Sequence, residues 1–335
     1  MFPKQSKQIT NGSISMKLYL SEQDVLTTLS MQTAVELVET AFRCLADGTA
    51  VNHPRRRVVL PTGSVLHYMA AGMPEYFGIK VYSTNPKSGA HFEVLLYRSA
   101  DGMPLATIEA NHLGQIRTGA ASGVATKFMA REDATTAGII GSGFQAETQL
   151  AAIAAVRPLK EVRVWSRQKE RREAFAQRCA EKFGIHVRAV DTARQCVEGV
   201  DIVVTATSSR EPVLETTWLT PGTHVNGSGS NWADRRELPA DLIYGRASIV
   251  AVDSIEGAKM ESGDLMIPLS DLVPEAAAEA FPGVALADIV AGKLPGRMNA
   301  DEITVFKSNG LAVEDIAVAG YLYEQAVSRG LGRRA

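Results

Sequence analysis

The chain has 335 residues, 45% of them hydrophobic and 21% charged, more than one core usually organises, which points to two globular domains. A formal net charge of −2 excludes a global pull toward nucleic acid or an anionic membrane, so any basic preference is local to a site. No stretch approaches the ~18 consecutive apolar residues of a membrane span, and the expected location is the cytoplasm.

Residues 1–15 (MFPKQSKQITNGSIS) are polar, lack the apolar core of a secretory signal, and read as a disordered extension. Ser21 to Asp47 reads as one helix. Ser21 caps it, Glu22 and Asp24 favour its first turn, and Gly48 stops it. Val35, Leu37, Val38, Ala41, Phe42 and Leu45 fall at helical spacing along it. Short β-type runs follow: RRRVVLP, SVLHYMAAGMP, YFGIKVYS, HFEVLLYRS and MPLATIEA. Asp101-Gly102 between the last two is a hairpin signal, and this part reads as an α+β domain with a largely antiparallel sheet.

The pattern changes at His112. HLGQIRTGAASGVATKFMA reads as one helix, and the strands ATTAGIIG, EVRVWSR, DIVVTAT, THVNGSG and SIVAVDS then alternate with helices. That alternation predicts a parallel sheet covered on both faces. EITVFKSN and the helix LAVEDIAVAGYLYEQAVSRG close the chain, and this last helix is expected to return to the first domain. The fold class is thus α/β: a Rossmann-type doubly wound parallel sheet plus a discontinuous α+β domain. The expected boundaries are 16–125 plus 308–335 for the α+β domain and 126–307 for the Rossmann domain.

Three cysteines, Cys44, Cys179 and Cys196, form no CxxC pair, the six histidines form no HExxH, and no acidic cluster has metal-ligand spacing, so no metal is expected. The chemistry is carried instead by Gly141-Ser142-Gly143-Phe144-Gln145-Ala146, between the apolar run Ala137–Ile140 and a helix. Gly141 permits a tight turn, Gly143 lets backbone approach a diphosphate, and Ala146 lets helix and strand pack closely. Free N–H groups and the helix dipole then face the diphosphate. Strand, turn, helix and second strand in this order point to dinucleotide binding rather than to an ordinary α/β turn.

The second strand bears on which dinucleotide. A carboxylate at its end would hold the ribose 2′-hydroxyl, but Val162-Arg163-Val164-Trp165 runs into Ser166-Arg167. These two suit a 2′-phosphate, so NADP(H) is preferred and NAD(H) possible. The neighbouring Arg171 and Arg172 read as an ordinary charged helix start. Thr205, Ala206 and Thr207 end a buried strand on the nicotinamide-ribose side, and Ser228, Lys307 and Asn309 complete the expected cofactor contacts.

Over residues 16–330 the chain resembles the ornithine cyclodeaminase/mu-crystallin family. The carriers are Pro54-Arg55-Arg56, Gly78-Ile79-Lys80, Ile116–Ala120, Gly141–Gly143, Thr205–Thr207, Gly229-Ser230-Asn231 with Arg236-Glu237-Leu238, and Phe306–Asp315. The resemblance implies a homodimer pairing through the α+β domain, which would bind substrate as well. It places Arg56, Lys80 and Arg117 around a substrate carboxylate. Guanidinium groups suit that task, and a partly desolvated lysine near them suits proton transfer.

Where cyclodeaminases of this family carry an aspartate that activates the substrate amino group, this chain has Asn231, which cannot accept a proton. Asp234 resembles an aspartate of the ketimine reductases, although its spacing to Glu237 equally fits a helix capping box. The implied activity is NAD(P)H-dependent reduction of small cyclic imino acids to amino acids. Ornithine cyclodeaminase or alanine dehydrogenase activity, and a non-catalytic NADPH-dependent binding protein, are the alternatives.

Overall fold

Two eight-stranded sheets form among the described residues, 17–272 and 281–334 of the computed structural model; the extension expected over 1–15 lies outside them. The first sheet and its helices comprise β1 (Leu18–Leu20), α1 (Glu22–Thr28), α2 (Met31–Asp47), β2 (Val51–Asn52), β3 (Arg56–Val59), β4 (Val65–Gly72), β5 (Tyr76–Asn85), β6 (Gly89–Arg98) and β7 (Pro104–Glu109). Next come α3 (Asn111–Met129), β8 (Thr136–Ile140), α4 (Phe144–Val156), β9 (Glu161–Trp165), α5 (Lys169–Phe183), β10 (His186–Ala189), α6 (Ala193–Val197), β11 (Ile202–Thr205) and β12 (His224–Gly227). The chain ends with β13 (Ile249–Val252), α7 (Ile255–Glu261), α8 (Gly263–Leu272), β14 (Gly283–Ala285), α9 (Leu286–Val290), β15 (Thr304–Lys307), α10 (Ala312–Arg329) and β16 (Arg333–Arg334).

The first sheet runs β16-β1-β7-β6-β5-β4-β2, with β3 on β4, and only the β1–β7 pairing is parallel. Its strands alternate, as a half-solvated sheet requires: along β4, His67 and Met69 are buried while Leu66 and Tyr68 are exposed. The buried face packs on α10, which also touches α2 and α3, so the last helix does return to the first sheet. Small residues let α3 be buried on all sides between α2, α4 and α10.

The second sheet is parallel throughout, in the order β10-β9-β8-β11-β12-β15-β13-β14. Its order reverses between β8 and β11, the switch point where the carboxyl ends of strands diverge and leave a crevice for a ligand.

The structure corrects the single helix expected over Ser21–Asp47. Leu29 is extended and buried, and Ser30 accepts the Thr33 N–H to start a second helix, so the segment is two helices. Ser21 forms the capping box of the first with Asp24, and Gly48 ends the second at φ 78°. The short strands β1, β2, β10, β14 and β16 were not legible as elements, being two to four residues long and lying at or near sheet edges.

Candidate active site

A cavity of about 450 Å3 opens between the first sheet, the start of α3 and the loops after β12 and β15. Lys80 lies on the buried face of β5 and Arg117 one and a half turns into α3. Burying two cations is costly unless carboxylates stand behind them. The first turn of α10 supplies these: Lys80 Nζ donates to Asp315 at 2.7 Å, and Arg117 donates to Asp315 at 3.0 Å and Glu314 at 2.7 Å. Both acids are fully buried, at a helix N-terminus that favours negative charge. Gly114 is needed for this meeting, because a Cβ there would fall 2.7 Å from Lys80 Nζ.

With Nε and Nη1 committed to the acids, Arg117 Nη2 makes no hydrogen bond to the described residues and Arg117 lines the cavity. Burial, reinforced by Arg117, pushes the Lys80 ammonium down to about 8. Burial also pushes the Glu314 carboxyl up to about 7, against the pull of Arg117. Arg117 itself, although burial opposes its charge, is held above its ordinary value by Asp315 and Glu314.

The third expected cation is misplaced by one residue. Arg56 pairs with Tyr68 in the β3–β4 register and lies on the exposed face with it, touching Met260 rather than the cavity. Arg55, buried, lines the cavity and donates to Glu261 at 2.6 Å and to the Asn309 carbonyl at 3.1 Å. A shift of one residue along an extended segment exchanges its two faces, and three consecutive arginines carry no internal mark of phase. Arg57 shares Glu261 at 2.8 Å and underlies the Trp232 ring at 4.5 Å.

The remaining expected contacts separate. Asn231 lines the cavity, and its carbonyl accepts from Arg57. Asp234 does not: it is exposed, pairs with Arg210 at 2.8 Å, and no helix follows it, so it caps nothing. Glu237, its supposed capping partner, is instead fully buried, accepting from Thr207 N–H and Oγ1 and from Gly229 N–H, all at 2.7 Å. It thereby ties the loops after β11 and β12 together. Burial pushes its carboxyl up from the ordinary range. His67, Tyr82 and Trp232 also line the cavity and were not singled out from sequence, where each reads as an ordinary core or surface aromatic.

A second cavity of about 930 Å3 runs along the ends of β8, β9 and β11 and shares Phe144, Gln145 and Gly229 with the first. Ser142, Gly143, Ser166, Arg167, Ala206 and Thr207 line it. Gly141 turns the chain at φ 122° with its α-carbon packed against the Ala206 carbonyl, while Cβ space at Gly143 is open. The helix α4 begins there with no side-chain cap, leaving its N-terminal amides directed at the cavity. A dinucleotide fits this arrangement: the diphosphate at the glycine turn, the adenosine end beside Ser166 and Arg167, the nicotinamide toward the shared residues.

Five expected cofactor contacts are elsewhere. Ala146 and Thr205 are fully buried behind the wall, the former packing α4 on the sheet. Lys307 is fully buried, donates to the carbonyls of Ser230, Ser308 and Gly227 and pairs with Asp264 at 3.3 Å, so it is a scaffold for the loop after β12. Ser228 and Asn309 lie in the first cavity, and both carboxamide atoms of Asn309 are buried without a partner among the described residues.

Residues 16–330 match the model of the ornithine cyclodeaminase/mu-crystallin family. The chain is 41% identical over 282 residues to a Δ1-pyrroline-2-carboxylate reductase of Bacillus cereus, covering 82% of this chain and 84% of the relative. It is similar to the solved structure of Thermococcus litoralis Δ1-pyrroline-2-carboxylate reductase in complex with NADH and L-proline, with TM-score 0.88, 37% identity and coverage of 95% of this chain and 100% of the other. An archaeal alanine dehydrogenase dimer with bound NAD superposes with the same TM-score, 0.88, at 31% identity over 95% of this chain and 98% of that one.

Because Cβ space at Gly143 is free of atoms of the described residues, Gly143→Val is expected to fold with an unchanged melting temperature and to obstruct the diphosphate. Differential scanning fluorimetry should then show the nicotinamide-induced stabilisation of the parent lost in the variant. Equal stabilisation of both would remove the diphosphate from this turn.

Proposed function

The chain belongs to the ornithine cyclodeaminase/mu-crystallin family, and on that premise we propose that it reduces small cyclic α-imino acids, such as Δ1-pyrroline-2-carboxylate, to α-amino acids with a reduced nicotinamide cofactor. The observation that carries this reading is the charge of the cavity wall. Among the described residues its charged side chains are Arg55, Lys80 and Arg117, and no Asp or Glu lines it. One substrate carboxylate is matched. A distal ammonium, as on ornithine, is not: among the described residues the wall offers it no carboxylate, since Glu261, Glu314 and Asp315 are already committed to Arg55, Lys80 and Arg117.

Arg117 and Lys80 hold the carboxylate and so fix the adjacent C=N carbon against the shared mouth of the two cavities. When bound, the reduced nicotinamide supplies a hydride to that carbon. Lys80 gives a proton to the imine nitrogen, so that C=N, one hydride and one proton yield CH–NH, and it is recharged from water. A lysine near 8 is suited to this, since it is charged at neutral pH yet releases its proton readily. Asp315, held by both cations, orients them and stays behind them.

Ser166, Arg167 and Arg171 at the second cavity, with no carboxylate lining it among the described residues, support a preference for NADP(H). Arg172 takes no part, being buried against the Ser166 carbonyl and Asp191. The outer face of the first sheet, with Val58, Leu66, Tyr68 and Phe77 each 38–48% exposed, supports a homodimer in which a second copy covers it. No helix among the described residues is long and apolar enough to cross a membrane. Free thiols and a nicotinamide cofactor suit the cytoplasm, which cell fractionation would check.

The decisive assay is consumption of NADPH or NADH with Δ1-pyrroline-2-carboxylate, beside ornithine with NAD. Reduction of the imine is expected; ammonia and proline from ornithine without it would establish a cyclodeaminase instead. Since the Lys80 ammonium is lowered to about 8, kcat/KM for reduction should hold steady below that pH and fall about tenfold per unit above it. Lys80→Met should lower activity by about 10²–10⁴-fold and abolish the alkaline limb. A pH profile of the variant that still breaks near 8 would assign the proton to another group.

For the cofactor, Arg167→Ala is expected to lower kcat/KM for NADPH by at least about tenfold, the worth of a charge-assisted hydrogen bond, and to spare NADH. An equal loss with both would mean that Arg167 serves the adenine and not a 2′-phosphate. For assembly, Tyr68→Asp with Phe77→Asp should convert a dimer into a monomer by light scattering. An unchanged mass would exclude that face.

A further inference from the structure

The wall of the substrate cavity beyond Lys80 and Arg117 carries the aromatic rings of His67, Tyr82, Phe92 and Trp232. Tyr82 lies two residues beyond Lys80 on the same buried face of β5, a displacement of about 6.6 Å along the strand. Its ring is fixed between two others. It stacks on His67 with centroids 4.3 Å apart and planes 2° from parallel, and on Phe92 at 4.7 Å and 21°. Trp232 closes the wall edge-on to His67, at 6.2 Å and 89°. An apolar imine ring would bury its methylenes well here. Yet the Tyr82 hydroxyl makes no hydrogen bond to the described residues, nor does the Trp232 indole N–H. Neither group has work to do against an unsubstituted pyrroline ring.

With the substrate carboxylate held at Lys80 and Arg117, Tyr82, two residues beyond Lys80 on the same buried face, lines the part of the cavity left for the ring. The surroundings limit the chemistry. Arg55, Arg57 and Arg117 are close enough to Tyr82 to favour its ionised form, although burial prevails and keeps the phenol above its ordinary value. An ammonium would find no carboxylate on the cavity wall among the described residues. A second carboxylate would find the Nη atoms of Arg55 already given to Glu261 and the Asn309 carbonyl. His67 offers no charge, because burial and Arg57 push its imidazole down to about 4. A neutral hydroxyl remains.

We propose that Tyr82 is a specificity-determining residue that hydrogen-bonds a ring hydroxyl, so that this cavity takes hydroxylated five-membered cyclic α-imino acids, and their hydroxyproline products, in preference to the unsubstituted ring. The proposal rests on the imino-acid reading of the same cavity and names its substrate more closely. A neutral hydrogen bond is worth about fivefold in affinity.

The test is isothermal titration of the NADPH-saturated protein with L-proline, with the cis and trans isomers of 4-hydroxy-L-proline, and with trans-3-hydroxy-L-proline. At least one hydroxyproline should bind the parent about fivefold more tightly than proline, and in Tyr82→Phe, which keeps the stacked ring, that ratio should collapse to about one. A parent that binds every hydroxyproline no better than proline overturns the proposal, as does a preference that survives in Tyr82→Phe or a failure of all four ligands to bind. Turnover of Δ1-pyrroline-2-carboxylate is measured on the same samples. Turnover without a hydroxyproline preference removes this subsite alone, whereas a Tyr82-dependent preference without turnover keeps the subsite and removes the reductase reading.

Discussion

Cations that grip a carboxylate out of water must be kept charged before the carboxylate arrives, and much of this molecule is arranged around that requirement. Desolvating an ion costs several kcal/mol, and Lys80 shows how far the requirement is met, its ammonium lowered only to about 8. The acid that holds it, Asp315, comes from α10, 235 positions farther along the chain, and the same helix turn gives Glu314 to Arg117. The helix bearing Arg117 must therefore lie against both. This is why the last helix returns to the first sheet and why α3 is made of residues small enough to be enclosed. Arg55 repeats the device across the crevice, with Glu261 at the end of α7 as its counterion.

The cofactor side is built by a different means. Its backbone loops, not its side chains, have to be held, and buried acids do this by accepting main-chain N–H groups. Glu237 joins the loops after β11 and β12. Asp264 accepts the N–H groups of Glu237 and Leu238, and Asp253 those of Asn309 and Gly310. Lys307 draws in carbonyls of the loop after β12. Charge is spent inside the scaffold so that the two cavity walls meet at Phe144, Gln145 and Gly229, where hydride donor and acceptor have to come together.

What could be read from sequence follows from this division. The glycine turn was legible because its physics is local: a strand, a positive φ, open Cβ space and a helix start lie within a few residues. The alternation of strands and helices likewise fixed the class of the second sheet. Lys80 and Arg117 emerged through a resemblance, since their meaning depends on partners far along the chain. Arg55 was confused with Arg56 because phase is set by the pairing of β3 with β4, which three adjacent arginines do not encode. Asp234 and Lys307 were misread for the converse reason. An exposed aspartate and a wholly buried lysine look alike in a string of letters, and only tertiary packing reveals that the first faces water and the second carries a loop. Ser30 was a legible signal passed over: a second cap nine residues after Ser21 marks a new helix.

The two halves of the substrate cavity discriminate by different rules. Coulomb attraction at Arg117 and Lys80 acts on the carboxylate that every α-imino acid carries, so it sets the register of the reacting carbon without distinguishing one ring from another. Discrimination has to come from the other half, where the stacked rings of His67, Tyr82 and Phe92 are rigid and nearly all apolar. Apolar contact alone separates homologues by only ~1–3 kcal/mol per methylene, whereas a fixed polar group can separate substrates that match it from those that leave it unpaired. A neutral His67 is consistent with that task, because a charged imidazole would compete with Arg117 for the carboxylate and loosen the register. Burial beside Arg55 and Arg57 holds it neutral, so the stacked rings add no charge of their own to those cations.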